Sequence, residues 1–258
     1  MSSNNIIPTK LNKFESTKGL EKMATVNIFL TKLDQNFKNS SLILSNLNRF
    51  PIFWQESILK KRDWISALSS MAGLLLLEKA LSNMGLLRLI NSIKISAYGK
   101  PYLDNGPAFN ISHSGKYVAC AVAEISSIGL DVEEIRDIEI SEYREVFSPS
   151  EWRLIKDSKD WKSQFYRYWT TKEAVVKANG KGLHISLEEI RVENNKVVCE
   201  GISYSTYEID VEFPDIILNL ASHEKIDRFN IEYISFKELE KEMDLKEKLS
   251  KPNLDASF

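Results

Sequence analysis

Two long helical patterns, each followed by a run of short strand patterns, constrain the fold of this chain most. Apolar residues recur at helical spacing between Asp63 and about Met84, and a second amphipathic segment runs from about Asp160 to Ala178. Because several short strand patterns follow each segment, at a period of about 100 residues, the sequence predicts an α+β fold. We expect two similar halves related by a pseudo-twofold axis. Each half has one long helix packed on a small, mostly antiparallel sheet, and the cleft between them is the expected ligand site.

The domain organisation follows from these segments. We expect an N-terminal half at residues 23–134 and a C-terminal half at residues 141–236. Residues 1–22 are polar and rich in Lys, Asn and Ser, which is typical of a mobile tail. Residues 237–258 form a polar, charged C-terminal tail, for which we expect a frayed helix. Alternation and turn residues predict strands at 23–30, 92–97, 108–112, 117–124, 127–133, 189–193, 196–199, 208–213, 216–221 and 230–235, with a turn at Asn194-Asn195.

Charge and cysteine usage exclude several kinds of protein. The formal net charge is -2, from 34 basic and 36 acidic residues, so no overall basic field favours nucleic acid and an anion site requires a local cluster. The most apolar run, Leu74–Leu77, ends at Glu78 and Lys79 and is too short to span a membrane. Cys120 and Cys199 have no metal-type spacing, which favours a reducing, cytoplasmic setting.

Two acidic residues alternate on one predicted strand. In the segment Gly129-Leu130-Asp131-Val132-Glu133, both carboxylates project to the same side because strand side chains repeat every second residue. The apolar residues between them face the opposite side. Taken alone, the pattern fits either a metal site or a solvated strand end.

A Glu and a Lys share one face of the second helix. Trp169, Glu173, Val176 and Lys177 lie along one stripe, and a Gly-rich loop, Gly180-Lys181-Gly182-Leu183, follows. A surface ion pair would explain Glu173 and Lys177, but a purely solvated face seldom carries a Trp. If this helix meets the acidic strand, three carboxylates and one ammonium converge, which is a way to hold Mg²⁺ beside phosphate oxygens.

Three further polar segments have both structural and functional interpretations. Ser148-Pro149-Ser150-Glu151 has the pattern of a capping box. His113, flanked by Ser112, Ser114 and Gly115, is either structural or a donor to phosphate, and no nucleophile-elbow pattern supports hydrolysis by a Ser-His pair. Lys60-Lys61-Arg62 is either a solvated run or a contact for an anionic ligand.

Together these segments resemble the 4′-phosphopantetheinyl transferases, specifically the two-halved type that activates peptide- and polyketide-synthase carriers. The resemblance runs from about Gly99 to Leu187. The segments that carry it are Gly99-Lys100-Pro101, residues 109–115, Gly129 to Glu133, Phe147-Ser148-Pro149-Ser150-Glu151, and Trp169 to Lys177 continuing into residues 180–183.

The resemblance implies Mg²⁺-dependent transfer of the phosphopantetheine arm of coenzyme A to a serine of an acyl or peptidyl carrier protein, which releases 3′,5′-ADP. It implies a metal site of Asp131, Glu133 and Glu173. Glu173 is the candidate base, alone or through a water that it orients, and Lys177 neutralises the departing phosphate. A chain with both halves is expected to act as a monomer.

The resemblance also implies nucleotide contacts by Lys100, Ser112, His113 and Lys177, and places Glu151 near the metal site. One position departs from the family pattern. The nucleotide-binding Arg, four residues before a helix glycine, corresponds to Ser69 when the chain is aligned on Gly73. Contact with the ribose 3′-phosphate then either passes to Lys60, Lys61 or Arg62 or is weaker than in the family.

Two other functions remain open on the sequence alone. The first is a non-catalytic module that binds coenzyme A or a carrier protein, although such a degenerate relative would be expected to lose a carboxylate or the lysine. The second is a Mg²⁺-dependent phosphohydrolase, which would require a water-activating site closed to a protein hydroxyl.

Overall fold

The computed structural model describes residues 24–34, 37, 40–193 and 196–250, and within them it shows a mixed α+β fold with small, mostly antiparallel sheets. The predicted fold class is confirmed at this level. The predicted tail at 1–22 and the predicted turn at Asn194-Asn195 lie outside the described residues.

The α-helices are α1 (Ser40–Leu47), α2 (Ile52–Leu59), α3 (Trp64–Asn83), α4 (Pro149–Asp157), α5 (Trp161–Asn179) and α6 (Phe236–Ser250). The strands are β1 (Thr25–Lys32), β2 (Ile93–Ile95), β3 (Pro101–Leu103), β4 (Ala108–Ser114), β5 (Tyr117–Ala123), β6 (Gly129–Glu134), β7 (Arg191–Glu193), β8 (Lys196–Cys199), β9 (Ile202–Glu208), β10 (Ile216–Ser222) and β11 (Arg228–Tyr233).

The strands form two main sheets whose membership crosses the predicted join between the halves. The first sheet has the order β11-β1-β5-β4, the second β6-β10-β9-β8-β7, and β2 pairs with β3 alone. β6 precedes the join but pairs antiparallel with β10, whereas β11 follows the join but pairs parallel with β1. The sheets also differ in strand number and order, so the pseudo-twofold relation between the halves stays a prediction.

Alternation along the strands produces a layered core. One face of β5 packs with α3, and the other face packs against β6 and β10 of the second sheet. The second sheet in turn carries α5 on its outer face, where Ala174 and Val175 meet Val197 and Tyr204. The order of layers is therefore α3, first sheet, second sheet and α5.

The two long helices have well-defined ends. The Asp63 carboxylate caps α3 by accepting a hydrogen bond from Ser66 N (2.8 Å), and α5 ends at Gly180, whose φ of 88° is left-handed and suits a residue without a Cβ. Among the described helices, α3 alone is long and apolar enough to cross a membrane by length and composition, but 61% of its apolar window is buried in the protein. Burial of this kind is typical of a core helix.

One predicted strand is not observed, and the predicted C-terminal helix packs on the core. The strand predicted at 208–213 is wrong, because the hairpin partner of β8 is β9, which follows a turn at Glu200 and Gly201 with positive φ at both residues. The C-terminal segment, predicted as a polar tail with a frayed helix, begins with helix α6. Its Leu239 and Met243 are buried against the core around α3, which anchors the helix to the N-terminal half.

Candidate active site

The two main sheets meet along β4 and β6, which we call the seam. Each strand lies at the edge of its own sheet. Asn110 Oδ1 accepts a hydrogen bond from Leu130 N (2.8 Å), and Ser112 Oγ accepts one from Val132 N (3.2 Å). Among the described strands, β6 has no neighbour on this edge, so its backbone N–H groups donate to polar side chains of β4 instead.

The predicted alternation on β6 is confirmed. Leu130 and Val132 are fully buried in the core between the sheets. Asp131 and Glu133 point the other way, where they contact side chains of β4 and α5. The carboxylates therefore sit in the seam rather than at a solvated strand end.

Helix α5 packs directly on the start of β6. A Cβ built on Gly129 would lie 1.9 Å from Ala174 O and 2.3 Å from Ala178 N, so only glycine permits this approach. The approach brings the face that carries Trp169, Glu173 and Lys177 to the seam. The expected meeting of strand and helix is observed.

Asp131 is buried and bound on one oxygen only. Its Oδ1 accepts hydrogen bonds from Ser112 Oγ (3.0 Å) and Lys177 Nζ (2.5 Å), whereas Oδ2 is buried without a hydrogen-bond partner. Burial raises the pKa of Asp131, and the Lys177 charge and the two hydrogen bonds oppose that rise. A buried carboxylate oxygen without a partner is the kind of atom that a cation satisfies.

Glu133 and Glu173 complete the acidic cluster. Burial, followed by the charge of Asp131, raises the pKa of both carboxyl groups. Glu133 accepts hydrogen bonds from Ser114 Oγ and from Trp169 Nε1 (3.3 Å). Glu173 and Lys177 line an adjoining cavity of about 310 Å³.

The donor chemistry of this cluster fits Mg²⁺, which prefers carboxylate oxygens. A divalent cation would satisfy the unpartnered Asp131 Oδ2 and would relieve the repulsion of Asp131 with Glu133 and with Glu173. As the side chains stand, however, no group of three His, Cys, Asp or Glu in the described ranges has metal-binding spacing. The Lys177 ammonium instead supplies positive charge to Asp131.

Ser112 and His113, both expected to contact the nucleotide, face opposite ways because side chains alternate along a strand. Ser112 Oγ donates to Asp131 and accepts from Val132 N and Lys177 Nζ (3.0 Å). These three bonds use the full capacity of a hydroxyl, so in this arrangement Ser112 supports Asp131, and its contact with the nucleotide stays a prediction. His113 is exposed and lines a neighbouring cavity of about 210 Å³ beside α2 and α3, which shares Pro101 and Asn110 with the cavity that Glu173 lines.

Positive charge surrounds His113. Partial enclosure by neighbouring protein, followed by the charges of Lys61 and Lys177, lowers the pKa of His113. Lys61 therefore lies close enough to His113 to act on its charge. Ser69 is buried on α3 and donates to Ile65 O (2.8 Å), so its hydroxyl has a local structural role.

Lys100 was predicted to hold the nucleotide, but its ammonium is bound to protein groups. Its Nζ donates to Ile128 O (3.1 Å), Ala178 O (3.1 Å) and Ser127 Oγ (3.2 Å). Burial lowers the pKa of Lys100 to about 8. Lys100 also lines the cavity that holds Glu173 and Lys177, so it forms part of the wall while its ammonium ties the β2–β3 hairpin to the end of α5.

A role for Glu151 near the metal site stays a prediction, and the contacts that its carboxylate makes in the structure are structural ones. Its carboxylate completes the predicted capping box with Ser148, accepts from Val192 N (3.1 Å), and pairs with the Lys172 ammonium (2.9 Å). Lys172 is fully buried and also donates to Val146 O (3.0 Å). These contacts use both oxygens of the Glu151 carboxylate and favour a structural role for it.

Sequence reasoning missed Asn110 and Ser114 as parts of the site and named Trp169 only for its position on the helix stripe. The period of two on β4 was a usable signal, because Asn110, Ser112 and Ser114 share one face of that strand. Their partner strand was not predictable from the pattern, since β4 and β6 belong to different sheets.

Comparisons with known proteins converge on one family. The family model described as "ACPS: 4'-phosphopantetheinyl transferase superfamily" matches residues 127–213, which include β6 and α5. A Haemophilus influenzae protein named "Putative 4'-phosphopantetheinyl transferase" is 32% identical over 167 residues, which cover 59% of this chain and 70% of the relative.

Two further relatives match over shorter ranges. The 4′-phosphopantetheinyl transferase gsp of Aneurinibacillus migulanus is 32% identical over 147 residues, or 55% of this chain and 61% of the relative. The 4′-phosphopantetheinyl transferase Sfp of Bacillus subtilis is 34% identical over 122 residues, or 46% of this chain and 50% of the relative. The chain thus spans about half to three-fifths of the length of these two proteins.

Proposed function

Because this chain belongs to the 4′-phosphopantetheinyl transferase superfamily, we propose that it transfers the 4′-phosphopantetheine arm of coenzyme A to a serine of an apo acyl or peptidyl carrier protein, releasing 3′,5′-ADP. One observation carries the proposal beyond family membership. Asp131 and Glu133 on β6 and Glu173 and Lys177 on α5 converge at the seam beside a cavity.

The reaction requires positioning and charge stabilisation more than covalent chemistry by the enzyme. The oxygen of the carrier serine bonds to the β-phosphorus of coenzyme A, the bond from that phosphorus to the 3′,5′-ADP oxygen breaks, and the serine proton leaves to a base. The attacking group comes from the partner, so this chain must align two reactants and disperse negative charge.

Each residue at the seam has a place in this proposal. Asp131, Glu133 and Glu173 would hold Mg²⁺, which supplies positive charge to the diphosphate when bound. Lys177 would neutralise the departing phosphate. Glu173 lines the cavity and has a raised pKa, which favours it as the group that accepts the serine proton, directly or through an oriented water.

Lys61 and His113 are the proposed contacts for the ribose 3′-phosphate. Lys61 lies near enough to His113 for its charge to lower the pKa of that imidazole. Two adjacent positive or hydrogen-bonding groups suit a phosphate dianion. This pair would replace the Arg that the family pattern places at Ser69.

The same proposal covers the setting of the reaction. It includes coenzyme A and a carrier protein as partners, neither nucleic acid nor a membrane, a monomeric enzyme, and the cytoplasm as its location. The near-neutral charge and the free, buried Cys120 and Cys199 agree with this setting.

A mass measurement on the carrier tests the proposal. Incubation of the chain with coenzyme A, Mg²⁺ and an apo carrier should add about 340 Da to the carrier, the mass of the phosphopantetheine group. EDTA should abolish the mass shift, and added Mg²⁺ or Mn²⁺ should restore it.

The alternative functions give different results in the same assay. A binding module would leave every carrier in a panel unshifted while still retaining coenzyme A or the carrier. A phosphohydrolase would release 3′,5′-ADP at the same rate with and without a carrier. Either result would contradict the transferase proposal.

A further inference from the structure

Both oxygens of Glu133 are held by donors from other elements. Ser114 Oγ, on the last residue of β4, donates to Glu133 Oε2, and Trp169 Nε1, on α5, donates to Oε1 (3.3 Å). We propose that Ser114 and Trp169 are positioning residues that fix the Glu133 carboxylate in the orientation that receives the divalent cation. This inference rests on the proposed function and deepens it.

Without these donors, repulsion would favour a different orientation of Glu133. The carboxylate lies beside buried Asp131, whose negative charge acts against it, and it is only partly enclosed. A flexible Glu side chain in that position can lower its energy by turning toward water. Two hydrogen bonds from fixed donors oppose this movement.

The Trp169 donor is fixed by its aromatic neighbours. Its ring stacks on Phe165 at a centroid distance of 6.2 Å and an interplanar angle of 14°, and it meets Tyr143 edge to face at 5.4 Å. These contacts set the direction of the indole N–H. The hydrogen bond to Glu133 therefore has a direction that packing determines.

The Ser114 donor is fixed by the first sheet. Ser114 is buried and pairs with Tyr117 in the antiparallel ladder between β4 and β5. Ser112, two residues earlier on the same face, holds Asp131 in the same way. Thus, the first sheet orients two carboxylates that belong to the second sheet, so the geometry of the metal site depends on how the sheets meet.

The hydrogen bonds leave Glu133 able to bind a cation. An ionised carboxylate offers about four lone-pair sites, and each Glu133 oxygen uses one for its donor. Carboxylates that bind metals are commonly oriented by such outer hydrogen bonds, and removal of these typically weakens metal affinity by about 10–100-fold.

The test measures Mn²⁺ affinity by electron paramagnetic resonance on the full chain, with Mn²⁺ alone as the probe. Ser114→Ala removes one donor, and Trp169→Phe removes the other while keeping an aromatic ring against Phe165. Each variant should bind Mn²⁺ about 10-fold more weakly, whereas Ser114→Thr, which keeps a hydroxyl, should regain most of the wild-type affinity.

Two matched controls remove the same chemical groups elsewhere. Trp64→Phe deletes an indole donor to Phe37 O (2.6 Å), and Ser45→Ala deletes a hydroxyl donor to Leu42 O (3.1 Å). Both controls affect stability only, so their Mn²⁺ affinity should equal that of the wild type. Circular dichroism verifies that each variant is folded before affinity is measured.

The outcomes separate this inference from the proposed function. If the wild type modifies a carrier but folded Ser114→Ala and Trp169→Phe bind Mn²⁺ as tightly as it does, the positioning roles are overturned and the transferase proposal stands. A wild type that modifies carriers with no divalent cation also overturns the inference. If the wild type neither modifies a carrier nor binds Mn²⁺, both fail.

Discussion

The Lys177 ammonium lies 2.5 Å from Asp131 Oδ1, while the other oxygen of the same carboxylate is buried without a hydrogen-bond partner. One carboxylate oxygen of Asp131 is thus paired with an ammonium, and the other has no hydrogen-bond partner among the described residues. The Lys177 ammonium would therefore compete with a divalent cation for the Asp131 carboxylate. When a diphosphate enters, its negative charge would attract Lys177 and release Asp131.

Lys177→Met should separate these two roles of the ammonium. Without coenzyme A, the variant should bind Mn²⁺ about 10-fold more tightly than the wild type. The cation would no longer compete with Lys177 for Asp131, and a loss of about 1.4 kcal/mol of competing attraction corresponds to a factor of 10 in affinity. The variant should also lose transfer, since no ammonium remains for the departing phosphate. Calorimetric titration with Mn²⁺ measures the affinity.

Lys181→Met is a suitable control for that experiment, because Lys181 belongs to the same region but pairs with exposed Glu200 (2.8 Å). Its Mn²⁺ affinity should not change. Equal affinities of Lys177→Met and the wild type would show that Lys177 does not compete with the cation.

Glu151→Ala should destabilise the protein rather than disable its chemistry. The substitution leaves the fully buried Lys172 ammonium without its carboxylate partner, and breaking such a pair from one side typically costs about 3–5 kcal/mol. Urea unfolding measures the loss. Glu56→Ala, which breaks the exposed pair with Lys60, should change the free energy of unfolding by less than about 1 kcal/mol.

Activity per folded molecule decides between the two roles of Glu151. A structural role predicts a near-normal rate in the fraction that remains folded at low temperature. A Glu151→Ala protein with normal stability and no transfer would restore Glu151 to the catalytic group.

The buried Lys100 should make stability depend on pH. Burial lowers its folded-state pKa to about 8 from an ordinary value of 10.5, so between those values the unfolded chain binds more protons than the folded protein. The free energy of unfolding attributable to Lys100 therefore rises as the pH rises from 8 toward 10.5. The expected gain is on the order of 1–3 kcal/mol, since one pKa unit corresponds to about 1.4 kcal/mol.

Comparison with Lys100→Met isolates this contribution. Urea unfolding at pH 7.5 and pH 9.5 should show that the wild type gains stability relative to the variant at the higher pH. The wild-type free energy of unfolding minus that of Lys100→Met should therefore increase with pH. If this difference stays constant or decreases, burial does not lower the pKa of Lys100.

Residues with a regular period were predictable from the sequence. Alternation placed Asp131 and Glu133 on one side of a strand, and helical spacing placed Trp169, Glu173 and Lys177 on one face. Family resemblance then joined the two segments, and the comparisons confirm that resemblance. The observed meeting of β6 and α5 confirms the expected contact between them.

Long-range packing explains what sequence patterns could not provide. The neighbour of β4 across the seam depends on how two sheets associate, so the support of Asp131 by Ser112 had no local signal. Lys100 and Glu151 carry groups that suit phosphate or metal chemistry, but distant carbonyls, amides and Lys172 take up those groups instead. Only three-dimensional proximity distinguishes these uses.

The central claim is that carboxylates from β6 and α5 act as one unit during transfer. The most direct measurement is the rate of carrier modification by Asp131→Asn, Glu173→Gln and the double variant, with folding verified for each. We predict that each single substitution lowers the rate by at least about 100-fold and that the double variant is little worse than the poorer single one, because residues that act together are not additive. Full activity of folded Glu173→Gln, or losses that simply multiply in the double variant, would contradict the account.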